Sequence, residues 1–250
     1  MRVEDVGVRF GGIVALDGVS FEVEAGRIVG LIGPNGAGKT TLFNCLSRLY
    51  ECGSGDILFN GSSLLQVPRH GIAALGIGRT FQNLALFKTM TVLDNIMVGH
   101  HSRTHSGFFV NALRLPGVTH EERATQEKAK SLVRFLGLDT VAGLRVADLP
   151  FGTQKRVELA RAVACEPKLL LLDEPASGLN HEEVGELGVL IREIRDRLGL
   201  TVLLVEHHMS LVMSISDHVV ALNFGRKIAE GTPAELQRHP EVIQAYLGTA

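Results

Sequence analysis

The sequence predicts an α/β fold in which helices cover a parallel β-sheet. Short apolar segments indicate buried strands, and longer segments with helical periodicity alternate with them. The strand-like segments are RIVGLI (27–32), KLLLLD (168–173) and TVLLVEH (201–207). From Glu182 to Leu198 apolar residues recur at helical spacing, so we expect one face of that helix to pack on the sheet.

Length and composition are those of a folded domain with a large core. The chain has 250 residues, of which 45% are hydrophobic. Its 25 basic and 27 acidic residues leave a formal net charge of −2. No overall positive field is available to recruit nucleic acid or anionic lipid, so we predict no nucleic-acid partner and expect local sites to carry the function.

The cysteines and the N-terminus indicate a reducing compartment. Cys45, Cys52 and Cys165 are odd in number and include no CxxC pair, which argues against a disulfide framework or a zinc site. We expect them to be small buried residues. The start, MRVEDVGVRF, is charged where a signal peptide needs an apolar stretch, and no apolar run approaches the ~18 residues of a membrane span. The expectation is a cytosolic chain, or one held at a membrane by a partner.

The segment GPNGAGKTT follows the first predicted strand and fits the pattern GxxxxGK[ST]. Its glycines let successive backbone N–H groups surround a phosphate chain, and Lys39 adds a charge for the outer phosphates. The Thr40 hydroxyl is a ligand for Mg²⁺, and the helix that starts there directs the positive end of its dipole at the anion. The alternative is a glycine-rich turn without a ligand. The predicted phosphate-binding residues are Gly33, Pro34, Asn35, Gly36, Ala37, Gly38, Lys39, Thr40 and Thr41.

The middle of the chain lacks strand signals. From about Thr91 to Val146 the segments TVLDNIMVGHHSR and HEERATQEKAKSLVRFLGL look helical, with Thr119 as an N-cap. We read 91–146 as a helical subdomain inserted into a single domain that spans 1–250. Pro116 and Gly117 contribute to the prediction of an irregular loop over 102–118.

The strand in KLLLLDEP ends in two acids. Four leucines predict burial on both faces, and burial disfavours a charge, so the acids are expected to face a cation at the carboxyl end of the strand. Asp173 would help to hold Mg²⁺, and Glu174 would orient and deprotonate a water for phosphoryl transfer. Read alone, an Asp-Glu pair at a strand end is equally well a helix-capping turn.

The order of these motifs resembles that of the nucleotide-binding subunits of ABC transporters over nearly the whole chain. The resemblance implies a P-loop NTPase with a RecA-like core, a small antiparallel β portion near the N-terminus and an inserted helical subdomain, with ATP and Mg²⁺ as ligands. It implies that Gln82, in GRTFQNLALF, senses Mg²⁺ and links the site to a transmembrane partner. His207, in LLVEHHM, would contact the γ-phosphate, and Phe10 would stack on adenine. Read alone, these are a solvated Gln, a capping His and a core Phe.

A partial match stands at LPFGTQKRVELARAV (149–163), where the family carries LSGGQ and then a helix. Gly152 and the helix are retained, whereas Pro150, Phe151 and Thr153 replace the serine, the first glycine and the glutamine. In the family this loop binds the γ-phosphate of the ATP that a second ATP-binding subunit holds. The resemblance therefore implies a homo- or heterodimer in which Gly152 serves the partner's site, and the altered loop weakens that site.

The segment ASGLN (176–180) resembles the family's D-loop near the dimer interface, with Asn180 in place of the usual aspartate. Because asparagine replaces aspartate here, the resemblance leaves open whether the two ATP sites of the dimer communicate as in the family.

Two further groups of residues look like sites and are predicted not to be. Three histidines lie in or beside the 102–118 insertion without an acid or cysteine at ligand spacing, so we predict solvated loop histidines. Three basic residues follow Gly152 along its helix, and with a slightly negative chain we predict a solvated, ion-paired face. These residues are His100, His101 and His105, and Lys155, Arg156 and Arg161.

The C-terminal sequences VEHHMSLVMSISDHVVALNFGRKIAEGTP and PEVIQAYLG, with the 102–118 insertion, look like the branched-chain amino-acid importers. This resemblance implies an ATPase on transmembrane permease subunits, peripheral at the inner face of the cell membrane and touching the membrane only through the permease. The stretch NLALFKTM (83–90), near Gln82, would receive a coupling helix.

Three other functions stay open on the sequence. Importers of urea or short amides share much of it. A soluble ABC-type ATP switch acting on DNA or ribosomes belongs to a different class, although the chain has neither the long coiled coils nor the tandem domains of such proteins. The third alternative is a degenerate subunit that binds ATP as a structural clamp, and it is suggested by Pro150 and Thr153 in the altered signature loop.

Overall fold

A computed structural model describes residues 1–80, 84–100 and 116–247, with the side chains of 116–122 and 247 left aside. The chain divides into two compact units. The first consists of Met1–Gln82 and Lys168–Ala250, and the second of Asn83–Pro167. No helix among the described residues is both long enough and apolar enough to cross a bilayer.

The described residues form ten strands: β1 (Arg2–Phe10), β2 (Ile13–Glu22), β3 (Ile28–Ile32), β4 (Ser54–Phe59), β5 (Ser62–Ser63), β6 (Ile77–Arg79), β7 (Leu169–Asp173), β8 (Thr201–Val205), β9 (His218–Asn223) and β10 (Arg226–Gly231). The α-helices are α1 (Lys39–Leu46), α2 (Val92–His100), α3 (Pro116–Phe135), α4 (Phe151–Ala164), α5 (His181–Leu198), α6 (Met209–Ile215), α7 (Pro233–Leu236) and α8 (Pro240–Leu247). Short 3₁₀ turns occupy Leu64–Gln66, Arg69–Gly71, Asp139–Val141 and Val146–Asp148.

The first unit contains two sheets. The antiparallel sheet has the order β2-β1-β4-β5, and β1 pairs with β2 from Arg2↔Glu22 to Phe10↔Ile13 with register shifts between. The larger sheet has the order β10-β9-β3-β8-β7-β6, in which only the pairing of β10 with β9 is antiparallel. A mainly parallel sheet beside a small antiparallel one near the N-terminus confirms the predicted fold class.

The central strands β3, β7 and β8 are buried along their whole length, as their apolar sequences predict. Alternate residues such as Leu31, Leu171 and Leu203 pack in one core with Phe43 of α1 and with the antiparallel sheet. On the opposite face Gly30 lies under α6, where an added Cβ would stand 2.6 Å from Val212 Cγ1. Covering on both faces explains why these strands carry no polar alternation.

Helix α5 packs on the first unit through the predicted apolar face, with Val184, Leu187, Ile191 and Ile194 buried. Leu198, which we expected on that face, is 43% exposed. It is the last residue of the helix and stands just before Gly199, a left-handed C-cap with φ 64° that ends the helix. The chain turns there, before the apolar stripe reaches Leu198.

The start of α3, in the second unit, corrects two expectations. Helix α3 begins at Pro116, so Pro116 and Gly117 are helical and Thr119 lies inside the helix rather than at its N-cap. Proline suits the first helical position because it has no backbone N–H, and an N–H at that position would have no acceptor within the helix. The rest of the predicted loop, 102–115, lies outside the described residues.

His100 corrects another expectation, because it is a buried residue at the end of α2 and not a solvated loop histidine. Its Nδ1 lies 3.0 Å from the Ala164 carbonyl oxygen of α4. Gly99 permits this close packing: a Cβ there would stand 2.2 Å from the carbonyl oxygen of Arg161. His101 and His105 lie outside the described residues.

Candidate functional site

The glycine-rich loop connects the end of β3 to the start of α1. Gly33 has a φ of 153°, and a Cβ there would lie 2.3 Å from the Leu222 carbonyl oxygen. Gly38 has a φ of 99°, and a Cβ there would lie 2.7 Å from the Ala15 carbonyl oxygen. Conformation and space therefore both require glycine at these two positions.

The Lys39 side chain crosses this loop. Its Nζ donates to the carbonyl oxygens of Gly33 at 2.7 Å and Pro34 at 2.9 Å, and the residue is only 5% exposed. Burial lowers the pKa of Lys39, while the carboxylate of Glu174 acts in the opposite direction. The lysine therefore belongs to the same electrostatic site as Glu174, 135 residues later in the chain by the numbering of the sequence.

Tyr246 of α8 is a loop partner that the sequence analysis missed. Its hydroxyl accepts a hydrogen bond of 2.8 Å from the Gly33 N–H, and burial raises the pKa of the phenol. Other residues of the glycine-rich loop differ in exposure: Ala37 is buried, Thr41 is half-buried and Thr40 is exposed. The AYLG ending was informative only as a subfamily signature, since no local pattern links a C-terminal tyrosine to a glycine 213 positions earlier.

Asp173 stands at the carboxyl end of β7 and is 3% exposed. Arg79, at the end of the neighbouring strand β6, donates from Nη2 to Asp173 Oδ2 at 2.8 Å. The same guanidinium donates from Nη1 to the Phe43 carbonyl oxygen at 3.2 Å and to the Ser47 hydroxyl. Arg79 therefore ties Asp173 to helix α1, a role that the sequence analysis did not assign.

Glu174 follows Asp173 in a left-handed conformation, with φ 47°. Its N–H donates to the Val205 carbonyl oxygen at 2.9 Å. Its Oε1 lies 2.7 Å from His207 Nε2, and the side chains are 13% and 39% exposed respectively. A non-glycine residue in this region carries strain, which native structures keep mainly where the surroundings hold the residue in place. The structure thus brings Glu174 and His207 together.

Glu206 is a further residue that the sequence analysis missed. It is 1% exposed, and its Oε1 accepts from the Ala176 N–H at 2.6 Å. Its Oε2 accepts from the N–H groups of His207 at 2.9 Å and His208 at 3.2 Å. The available signal was an acid at the end of an apolar strand, the same feature that identified Asp173.

Phe10 is 46% exposed at the end of β1, so it is not a core residue. Its ring meets that of Tyr50 edge to face, with centroids 5.2 Å apart and planes at 73°. Gln82 lies outside the described residues.

Asn180 is the N-cap of α5. Its Oδ1 accepts from the N–H groups of Glu182 and Glu183, both at 3.0 Å, and the Glu183 carboxylate accepts from the Asn180 N–H at 2.9 Å. This is a complete capping box, for which asparagine serves as well as aspartate.

In the second unit Pro150 is the N-cap of α4, with φ −55°, and Gly152 lies in the first turn. Two of the three basic residues of this helix, Lys155 and Arg161, are packed against aromatic side chains, which corrects the expectation that they are solvated. Lys155 is 5% exposed, with its Nζ 5.6 Å from the centroid of the Phe151 ring. Arg161 donates to the Ala85 carbonyl oxygen and stacks 5.9 Å from the Phe87 ring centroid. Cation–π contacts form here because aromatic side chains of the same unit lie within reach of both cations.

Comparison with known proteins shows similarity to the ATP-binding proteins of ABC transporters. Residues 16–177 match the family model of the ABC transporters, and residues 226–250 match that of the branched-chain amino acid ATP-binding cassette transporters. The chain is 43% identical over 250 residues to the high-affinity branched-chain amino acid transport ATP-binding protein BraF of Pseudomonas aeruginosa, covering 100% of this chain and 98% of the relative. It is 42% identical, with the same coverage, to LivG of Escherichia coli, which has the same description.

Solved structures agree with this. A nucleotide-free ATP-binding cassette from an ABC transporter superposes with a TM-score of 0.84 at 30% identity, covering 98% of this chain and 97% of the other. The ADP conformation of such a cassette gives a TM-score of 0.85 at 30% identity, covering 99% and 98%. A family model that matches well over half of the chain, together with full-length relatives above 40% identity, shows that this protein belongs to the ABC transporter family of ATP-binding cassettes.

Proposed function

We propose that this chain is the ATP-hydrolysing subunit that powers an importer of branched-chain amino acids. The observation that carries the proposal is the Glu174–His207 pair, 2.7 Å apart at the carboxyl ends of neighbouring strands and electrostatically coupled to the lysine of the phosphate loop. The descriptions of the BraF and LivG relatives supply the transported class.

In the proposed site the loop from Gly33 to Thr41 surrounds the phosphates of ATP. The Lys39 ammonium, now bonded to the Gly33 and Pro34 carbonyls, is placed to exchange those partners for phosphate oxygens. The first turn of α1 adds its unbonded N–H groups. Phe10, with its exposed ring at the end of β1, is proposed to stack on the adenine.

The residues present fit a magnesium ion. Thr40 and Asp173 offer hydroxyl and carboxylate oxygens, the ligands Mg²⁺ prefers, and the exposed Thr40 leaves room for phosphate oxygens and water. When bound, the ion neutralises charge on the β- and γ-phosphates. Arg79 holds the Asp173 carboxylate in place. Gln82 is proposed as a further ligand that also reports to the permease.

For hydrolysis, a water oxygen bonds to the γ-phosphorus while the bond from that phosphorus to the β–γ bridging oxygen breaks, giving ADP and phosphate. Glu174 takes a proton from the water. His207, which shares its Nε2 hydrogen bond with Glu174, orients that carboxylate and reaches the γ-phosphate. The backbone hydrogen bond from Glu174 N–H to the Val205 carbonyl keeps the carboxylate at the strand edge.

The active form is proposed to be a homo- or heterodimer with a second ATP-binding subunit, to whose ATP Gly152 contributes. The region 91–146 is proposed as a helical subdomain inserted in one 1–250 domain, and 83–90 as the receiver of a coupling helix. Transmembrane permease subunits would hold the chain at the inner face of the cell membrane.

A tagged chain purified from its native membrane tests the proposal. We expect permease subunits to co-purify, and the reconstituted complex to take up leucine, isoleucine and valine only when ATP is hydrolysed. A complex with Glu174→Gln is the matched control and should bind ATP without uptake. Uptake of urea or a short amide in place of these amino acids would favour the alternative importer, and purification without any membrane protein would favour the soluble switch.

A further inference from the structure

The buried carboxylate of Glu206 joins two loops that each carry part of the site. One is the turn after β7, which contains Glu174 and continues into ASGLN (176–180). The other is the turn after β8, which contains His207. Glu206 receives an N–H from Ala176 in the first loop and two N–H groups, from His207 and His208, in the second.

Three donors at 2.6, 2.9 and 3.2 Å are more than an amide side chain could satisfy. A carboxylate accepts at both oxygens, whereas glutamine accepts at one and would direct its NH₂ group at another donor. At 1% exposure no bulk water replaces a missing acceptor, so the acid is needed to keep both loops together.

The contacts close a ring of hydrogen bonds. Glu174 and His207 meet through their side chains, and Glu206 connects the backbone of His207 to that of Ala176, two positions after Glu174. Leu179 N–H donates to the Ala176 carbonyl at 3.1 Å, which carries the connection toward the Asn180 cap. Glu206 therefore gives the 176–180 segment a hydrogen-bonded link to the backbone of His207, besides the Glu174–His207 contact.

We propose that Glu206 is a positioning residue that sets the Glu174–His207 geometry and couples it to the 176–180 segment. The inference rests on the proposed hydrolysis at Glu174, since a positioning role for Glu206 requires that Glu174 and His207 take part in that reaction. The described contacts of the Glu206 carboxylate are with backbone N–H groups of the two loops, so the proposed action is through those loops.

The test uses the full chain in its purified transporter complex and compares Glu206→Gln with wild type. We expect kcat for ATP hydrolysis to fall about 10- to 100-fold, the loss typical of outer-shell partners of catalytic groups, with the affinity for Mg-ATP unchanged. Glu206→Asp keeps the charge but is too short for both loops, so it should lose activity as well. Glu235→Gln is the matched control, because that carboxylate also accepts a backbone N–H, from Thr232 at 2.7 Å, far along the chain from the site.

A double mutant separates positioning from mere stability. If Glu206 acts through His207, adding Glu206→Gln to His207→Ala leaves kcat as low as in His207→Ala alone. In the Glu174→Gln background, Glu206→Gln should also reduce ATP-dependent pairing of cassettes, measured by light scattering. Wild-type kcat in Glu206→Gln, or losses that multiply in the double mutant, would overturn the inference. A wild-type complex that does not hydrolyse ATP would instead refute the proposed function.

Discussion

His207 Nε2 lies 2.7 Å from Glu174 Oε1, although the two residues are 33 positions apart in the chain. They meet because Asp173 pairs with Val205 in the parallel register of β7 and β8, so both strands end at the same edge. Side chains placed directly after such strands converge without any local signal. His207 thus orients the Glu174 carboxylate. We therefore expect loss of Glu174 to affect hydrolysis most directly.

Glu174→Gln preserves size and removes the proton acceptor. We expect phosphate release to fall about 100- to 10,000-fold, the usual contribution of a general base. ATP affinity should not fall, because the Lys39 ammonium is held by the Gly33 and Pro34 carbonyl oxygens and glutamine keeps the size of the glutamate. A phosphate-release assay with parallel calorimetry measures both, with Glu186→Gln on α5 as a surface control. Unchanged turnover would exclude Glu174 as the base.

Lys39→Ala should weaken ATP binding about 10- to 100-fold, since a hydrogen bond to a charged group contributes about 1.5–3 kcal/mol. The ammonium is already desolvated, with a lowered pKa, so phosphate contact costs little further dehydration. Calorimetry with Mg-ATP measures the loss. Lys130→Ala, an exposed lysine of α3, should bind as wild type. Wild-type affinity in Lys39→Ala would contradict the phosphate-loop assignment.

Two arginine variants test how burial sets the value of an ion pair. In the Arg79–Asp173 pair the side chains are 9% and 3% exposed, whereas in the Arg226–Asp17 pair they are 72% and 42% exposed. Arg79→Met should lower the free energy of unfolding by about 3–5 kcal/mol, because it removes one partner of a buried ion pair. Arg226→Met should cost at most about 1 kcal/mol. Denaturant titration distinguishes them, and equal losses would show that burial does not set the difference.

Tyr246 should titrate above the usual phenol pKa of 10.0, because burial disfavours the phenolate. A raised folded-state pKa means that the unfolded chain loses its proton first, so this contribution to stability is complete below pH 10.0 and is lost as pH rises through the folded value. The chain has two tyrosines and no tryptophan, so absorbance at the phenolate band compared between wild type and Tyr246→Phe isolates this titration. Tyr246→Phe should also remove this alkaline loss of stability. A Tyr246 titration at or below pH 10.0 would contradict the burial.

Asn180→Asp should leave stability unchanged, because either side chain accepts the N–H groups of Glu182 and Glu183. Asn180→Ala should destabilise the protein by about 0.5–2 kcal/mol through loss of the cap. Thermal unfolding of the two variants measures the contrast. If Asn180→Asp were as damaging as Asn180→Ala, the residue would have a role other than capping.

Much of the site follows from sequence because its parts are local. The glycine-rich loop is one short segment of the sequence, and the structure shows that Gly33 and Gly38 have no room for a Cβ. The predicted side-chain environments were wrong where contact with a residue distant in sequence, or packing against a neighbouring side chain, determines whether a residue is buried. His100 was predicted to lie in a solvated loop, but it packs against α4. Lys155 was predicted to be solvated, but it lies beside the Phe151 ring.

The fold class, the glycine-rich loop and the acids at the strand end can be predicted from the sequence, since strand burial and turn chemistry depend on neighbouring residues. Which side chains hold those parts in place depends on the tertiary structure. Arg79 meets Asp173 across 94 positions, Glu206 meets Ala176 across 30, and Tyr246 meets Gly33 across 213. Such partners leave no periodic pattern in the chain, because a long-range hydrogen bond depends on the packing of whole strands and helices and not on spacing along the sequence.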